Sequence, residues 1–241
     1  MSEIRCNDSS VLSLYLDMPF TGAWTAMVES DDDVVPVGAA TITLHQENGN
    51  LSTFSGTVTW GATWQGRSKY TVVGGAGTLN TGVPAKNYLG SLTVLGVTVP
   101  LNALLIVENL LVSLDVVPPV AEVIEPATAT LLATKSLGVW HVGGQQRGRC
   151  ISNLAKALEL NWRIIDIGQL SMFVDEWPAV DTDPYVVDPG DNGISRTISI
   201  APDGAPYRPG TTILGRKVYR VTYNCTPDAT RGTLFYMPAG A

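Results

Sequence analysis

From Val11 to about Val73, apolar and polar positions alternate with the period of two that marks half-buried strands. In VLSLYLDM this places Val11, Ser13, Tyr15 and Asp17 on one face and Leu12, Leu14, Leu16 and Met18 on the other. GAWTAMVES, GAATITLH, FSGTVTWGATW and RSKYTVVGG continue the pattern, rich in the β-branched and aromatic residues that suit a pleated surface. Turn chemistry separates them at Ser30–Asp33, at Gln46–Asn50, and at Gly61 with Gly66. Five or six short strands in about 65 residues predict a small antiparallel barrel or sandwich.

The pattern changes after Gly90. Pro100 is placed as the first residue of a helix, PLNALLIVENLLVSL, in which Leu101, Leu104, Leu105, Glu108 and Leu111 fall at helical spacing. VVPPVAEVIEPATAT is broken by Pro118, Pro119 and Pro126 and cannot be one regular element. A second helix is predicted from about Gln146 to Leu160, with a stripe of Ile151, Leu154, Ala155 and Leu158. NWRIIDIG and QLSMFVDEW then read as a hairpin around Gly168. DTDPYVVDPGDNG is dense in Asp, Pro and Gly and reads as a linker. Beyond it ISRTISIAP, GTTILGRKVYRVTYN and RGTLFYMP are strand-like. An internal echo connects the two β regions: Gly66-Arg67-Ser68-Lys69-Tyr70 and Gly215-Arg216-Lys217-Val218-Tyr219 both set Gly-Arg at a turn leading into a strand.

The fold class expected is therefore mainly β with a small α+β insertion: two small antiparallel β-barrels flanking a helix-hairpin unit. The boundaries are an N-terminal barrel over 1–90, a middle domain over 91–180, a linker over 181–186 and a C-terminal barrel region over 187–241.

Composition narrows the function. Only 15% of the 241 residues are charged, against about 25% in ordinary soluble domains, so part of the surface is expected to be covered by neighbouring subunits. A net charge of −7 and the absence of any basic run argue against gripping a phosphate backbone. Cys6, Cys150 and Cys225 are few and far apart, which fits buried thiols made in a reducing compartment better than a disulfide scaffold. The first ten residues show no basic-then-apolar leader pattern. The most apolar window, Leu92 to Val112, is interrupted by Gly96, Pro100, Asn102, Glu108 and Asn109 and reads as a strand and a buried helix, not a membrane span.

Tests for catalytic chemistry come back empty. Asp31, Asp32 and Asp33 lack the spacing of a calcium loop and read as a solvated turn. Asp175 and Glu176 are strand neighbours on opposite faces, so they cannot flank one scissile bond. Gly74 to Gly77 lacks the Lys-Ser/Thr of a phosphate loop. His141, beside Trp140, reads as packed, and with His45 as the only other histidine no zinc set is visible. No catalytic, cofactor-binding or metal-binding residue is assigned. Trp60 and Trp64, evenly spaced in one strand, share a face suited to core or subunit-interface packing or, alternatively, to stacking sugars in a carbohydrate-binding β-module.

Three segments resemble the tail-hub or baseplate-hub proteins of tailed bacteriophages and related injection machines: Ser55 to Tyr88, Arg147 to Pro178, and Tyr207 to Cys225. They match, in order, a barrel strand crossing a Gly-Arg turn, a helix followed by a hairpin, and an Arg-Pro-Gly, Gly-Arg closing barrel. The resemblance implies a non-enzymatic virion protein of the tail tip, assembled in the host bacterial cytoplasm. It implies a homotrimer that adapts a threefold spike or needle protein to the sixfold tail tube protein, with tape measure and baseplate wedge proteins as further partners. DNA would pass through the ring on ejection without specific nucleic-acid binding, past an acidic or neutral lumen. Interface candidates are Trp60, Trp64, Arg67 and Tyr70 in the first barrel and Arg208, Arg216 and Tyr219 in the second. A tube or distal-tail protein is the alternative within the same class.

Overall fold

The computed structural model describes residues 3–45, 51–75, 78–94, 97–111, 123–174, 196–200, 207–213 and 215–237. The N-terminal alternation folds into β1 (Glu3–Cys6), β2 (Ser9–Pro19), β3 (Thr25–Ser30), β4 (Ala39–His45), β5 (Leu51–Trp64) and β6 (Arg67–Gly74). They pair antiparallel in the order β1-β4-β5-β6-β3-β2, and β2 returns to β1 through Arg5↔Ser10 and Cys6↔Ser9, closing a six-stranded barrel. Closure removes the free edges of a small sheet. Leu14, Leu16, Trp24, Val28, Ile42 and Phe54 fill the interior. The indole of Trp24 fits because glycines face it: a Cβ at Gly74 would lie 2.6 Å from its Nε1, and one at Gly56 2.9 Å from its Cη2.

Two details depart from the expected pattern. The register of β2 against β3 slips between Val11 and Ser13, so Val11 points inward with Leu14, Leu16 and Met18 while Leu12 is half-buried. A bulge adds one residue to one strand and inverts the alternation beyond it. Gly61, expected as a break, lies inside continuous β5, where a side chain would collide with Val35 and with the Tyr70 Cβ. The turn falls instead at Gln65 and Gly66, with φ of 51° and 76°, the left-handed pair of a two-residue hairpin.

The middle of the chain carries β7 (Lys86–Leu89), β8 (Ser91–Val94), β9 (Val97–Pro100), α1 (Ala103–Leu111), α2 (Pro126–Ala133), β10 (Val139–Val142), α3 (Arg147–Ala157), β11 (Asn161–Ile164) and β12 (Leu170–Phe173). The helix expected to begin at Pro100 starts at Ala103. Pro100 ends β9, and the Asn102 side chain accepts the Leu105 N–H at 3.0 Å, satisfying a donor that the first helical turn leaves free. Pro126 opens α2, where the missing N–H costs nothing. Its Thr128 accepts the Met172 N–H at 2.8 Å, docking the helix on β12. In α3 the apolar stripe of Ile151, Leu154 and Ala155 is buried as expected, with Leu158 packed partly against the core. β11 and β12 form the expected hairpin, turning at Gly168 with φ 83°. No helix among the described residues is long and apolar enough to cross a membrane.

The C-terminal region supplies β13 (Thr197–Ile200), β14 (Thr212–Ile213), β15 (Arg216–Thr226) and β16 (Ala229–Tyr236). Among the described residues these do not close a second ring of their own. β15 pairs with the C-terminal half of β2, from Arg220↔Pro19 to Cys225↔Leu14, and the sheet runs on through β16 to β13. β2 therefore belongs to both β regions. The expected linker at Asp181–Gly193 and the carboxylates Asp175 and Glu176 lie outside the described residues.

Candidate assembly surfaces

β5 extends beyond its last β4 partner, Thr57↔Ala39, and continues with β6 alone as a two-stranded arm. Trp60 and Trp64 stand on one face of that arm, 63% and 75% exposed. With Ala62 between them and Arg67, Lys69 and Glu29 at the rim, they line an open groove. Arg67 lies 3.5 Å from Glu29, an exposed ion pair worth little by itself. Tyr70 does not belong to this surface. It points into the barrel and is 1% exposed, because Ser68 and Tyr70 alternate inward while Arg67 and Lys69 face out. Burial and the neighbouring Cys6 thiol push its ionisation far above that of an ordinary phenol.

The second group is elsewhere. Arg216 follows the left-handed Gly215 (φ 71°) and stacks over the Tyr236 ring at 4.5 Å. Tyr219 is 39% exposed and tilts against Phe235. Arg208 sits at the junction of the barrel, the β11–β12 hairpin and the C-terminal sheet. It donates through Nε to both carboxylate oxygens of Asp166, at 3.0 and 3.1 Å, and lies over the Phe54 ring at 5.0 Å. Trp60, Trp64 and Arg67 thus form one surface, Arg216 and Tyr219 belong to the C-terminal sheet, and Arg208 is a junction residue.

Sequence reasoning missed that junction. The Gly22 N–H donates to Trp162 O at 2.8 Å, and the Ile164 N–H donates to Gly22 O at 3.1 Å. The Ser55 N–H donates to Asp166 O at 2.6 Å. On the other side Arg220 clips β15 to β2 through two bonds to Asp17, Nε–Oδ1 at 2.8 Å and Nη2–Oδ2 at 2.7 Å, which raise its pKa. Arg163 is different. Its Nη1 donates to Pro209 O at 2.8 Å and its guanidinium lies over Phe173, yet among the described residues no carboxylate is within ion-pair distance of it. Burial lowers its pKa, opposed by the more distant charges of Glu125 and Asp166.

Among the described residues no three His, Cys, Asp or Glu side chains converge as a metal set. His141 is exposed on β10, not packed as expected, with Nδ1 2.5 Å from Asn87 Oδ1, while Trp140 turns partly inward beside it. Asp32 holds its own turn, accepting from Ser9 Oγ at 3.0 Å and from the Val34 N–H at 3.2 Å. All three cysteines are buried and free.

No family model and no curated protein matches the sequence. Solved structures do match the fold. A tail protein from Neisseria meningitidis aligns over 99% of this chain and 96% of its own, at 12% identity and a TM-score of 0.59. A component of the E. coli type VI secretion system, described as similar in structure to the T4 bacteriophage tail proteins gp27 and gp5, aligns over 98% of this chain and 77% of its own, at 11% identity and a TM-score of 0.63. A 43 kDa tail protein of prophage MuSo2 from Shewanella oneidensis aligns over 98% and 97%, at 6% identity and a TM-score of 0.60. Over nearly its whole length, the chain has the fold of these two tail proteins and of the secretion-system component.

Proposed function

We propose that the chain is a structural hub of a bacteriophage tail or related injection baseplate, a homotrimeric ring that adapts a threefold spike to a sixfold tail tube and lets DNA pass. The observation that carries this is the fold shared, over 98–99% of the chain, with two tail proteins and a type VI secretion component that itself resembles tail proteins. The internal arrangement supports it. A trimer that must meet sixfold symmetry needs two similar units per chain, and β2 binds two β regions into one body. In each region an arginine that follows a left-handed glycine pairs with the preceding strand, Trp64↔Arg67 in one and Ile213↔Arg216 in the other. The bare Trp60 and Trp64 face is surface of the kind assembly covers. No step of chemistry is assigned to the protein; its work is positional.

Electron cryo-microscopy of the particle containing this chain tests the reading. Three copies in one ring between tube and spike are expected, with the two β regions alternating around it. A sixfold ring stacked along the tube would move the protein to the tube or distal-tail class. Absence from any tail particle would overturn the proposal.

A further inference from the structure

The junction of the three parts of the chain forms a half-open cavity of about 290 Å³. Met18, Pro19 and Trp24 from the barrel and Ile164 from the hairpin give it apolar walls, and Arg163 and Arg208 give it cations. The two arginines are not equivalent. Arg208 is held by Asp166 and by Tyr207 O, which it reaches through Nη1 at 3.2 Å. Among the described residues Arg163 has one acceptor, Pro209 O, and one ring face, Phe173. A guanidinium carries five N–H donors in a planar fork that matches a carboxylate. Arg163 is thus a largely buried cation without an ion-pair partner among the described residues, at the wall of an apolar cavity. Burying a charge without a close counter-charge is costly, and a bound anion that makes good hydrogen bonds offsets part of that cost.

We propose that this cavity is a binding site for an apolar carboxylate, with the carboxylate on Arg163 and the apolar body against Pro19, Ile165 and Ile167, the apolar lining residues that keep accessible surface. The volume, at the lower end of small-molecule pockets, suits a compact ligand such as a medium-chain acid or a single apolar residue at a polypeptide C-terminus. A dianion or a phosphate is a poor match, since Asp166 lines the same wall and most of the remainder is apolar. The site is separate from the Trp60 and Trp64 surface and stands or falls independently of the hub reading.

Isothermal titration of the full chain tests it with octanoate, octanol, acetyl-Gly-Gly-Leu and the C-terminal amide of that peptide. At least one of the two carboxylates is expected to bind. Its neutral counterpart should bind about tenfold to a hundredfold more weakly, the factor that a charge-assisted hydrogen bond contributes. Tighter binding of the free peptide identifies a polypeptide terminus as the source, and tighter binding of octanoate a free acid. Arg163→Met should abolish the difference between acid and neutral partner, and Arg163→Lys should retain part of it. Ile167→Trp, at an exposed position on the rim, should obstruct binding without disturbing the fold. Failure of both carboxylates to bind the native chain, or equal binding of acid and neutral partner, would overturn the proposal. So would unchanged binding in Ile167→Trp with a native circular dichroism spectrum.

Discussion

The two β regions solve the same problem differently. The N-terminal barrel closes on itself, each of its six strands finding two neighbours in the ring, and it is filled by side chains from all of them. The C-terminal sheet is held from outside. β15 leans on β2, the Asp17–Arg220 pair clips it there, and Arg163 and Arg208 tie its Tyr207–Pro209 segment to the middle hairpin. One region carries its own closure and the other borrows a strand. A shared strand makes them one body mechanically while leaving the borrowed side easier to open.

The largest effect that tests this is loss of Trp24. Its indole is 2% exposed, packs edge-on against Phe54 at 5.7 Å between centroids, and donates to Ile165 O at 3.4 Å. Trp24→Ala is expected to cost about 3–5 kcal/mol, the range for large aromatic truncations in a core. If β2 couples the regions, urea unfolding followed by far-ultraviolet circular dichroism and by thiol exposure shifts as one transition. Two separated transitions, with the C-terminal sheet unaffected, would show that the regions are independent and that sharing β2 carries no energy.

A finer probe is already built in, because each part of the chain buries one cysteine: Cys6 in the barrel, Cys150 in α3 and Cys225 in β15. Thiol labelling in low denaturant is expected to reach Cys225 before Cys6, since the borrowed sheet opens first. Labelling in the reverse order would break the comparison. The alkaline limb adds a sign. Burial pushes the Cys225 thiol up from 9.0 to about 11, so between those values the unfolded chain has released the proton and the folded chain has not. The unfolded state then binds fewer protons, and stability falls as pH rises from about 9 to about 11, by up to roughly 2–3 kcal/mol from this group. Cys225→Ala should flatten that part of a stability-versus-pH curve, and an unchanged slope would remove the assignment.

What was legible in the sequence follows the same division. Alternation of period two fixed which β4 and β6 side chains face inward, because each strand there keeps its phase: Ala40, Ile42 and Leu44, and Ser68, Tyr70 and Val72, are all buried. It failed at Val11, where a bulge set by pairing partners changes the phase. Tyr70 carried its own warning, since it and Arg67 have opposite parity in one strand and cannot share a face. Trp60 and Trp64 share parity, and the structure leaves both on one exposed face. The pairing of β2 with β15 was not legible. Periodicity reports which face of a strand is buried, not which strand lies beside it some two hundred residues away. Arg163 and Asp166 were equally silent, since nothing local distinguishes a hairpin arginine in water from one walled in by a distant Pro209.

The smallest effect addresses the echo between the regions directly. Gly66 and Gly215 adopt φ of 76° and 71°, and nothing lies within 4 Å of where a Cβ would stand at either. Alanine at both positions therefore meets no steric wall, only the intrinsic cost of the left-handed conformation, about 1–2 kcal/mol. If the two turns are the same device, Gly66→Ala and Gly215→Ala should destabilise the chain by equal amounts within a few tenths of a kcal/mol, and their effects should add, since distant sites without shared partners do so. Equilibrium unfolding of the two single variants and the double variant measures this. A much smaller penalty at Gly215 would mean that the β14–β15 turn relaxes where the β5–β6 turn cannot, and the likeness of the two hairpins would then be one of shape and not of load.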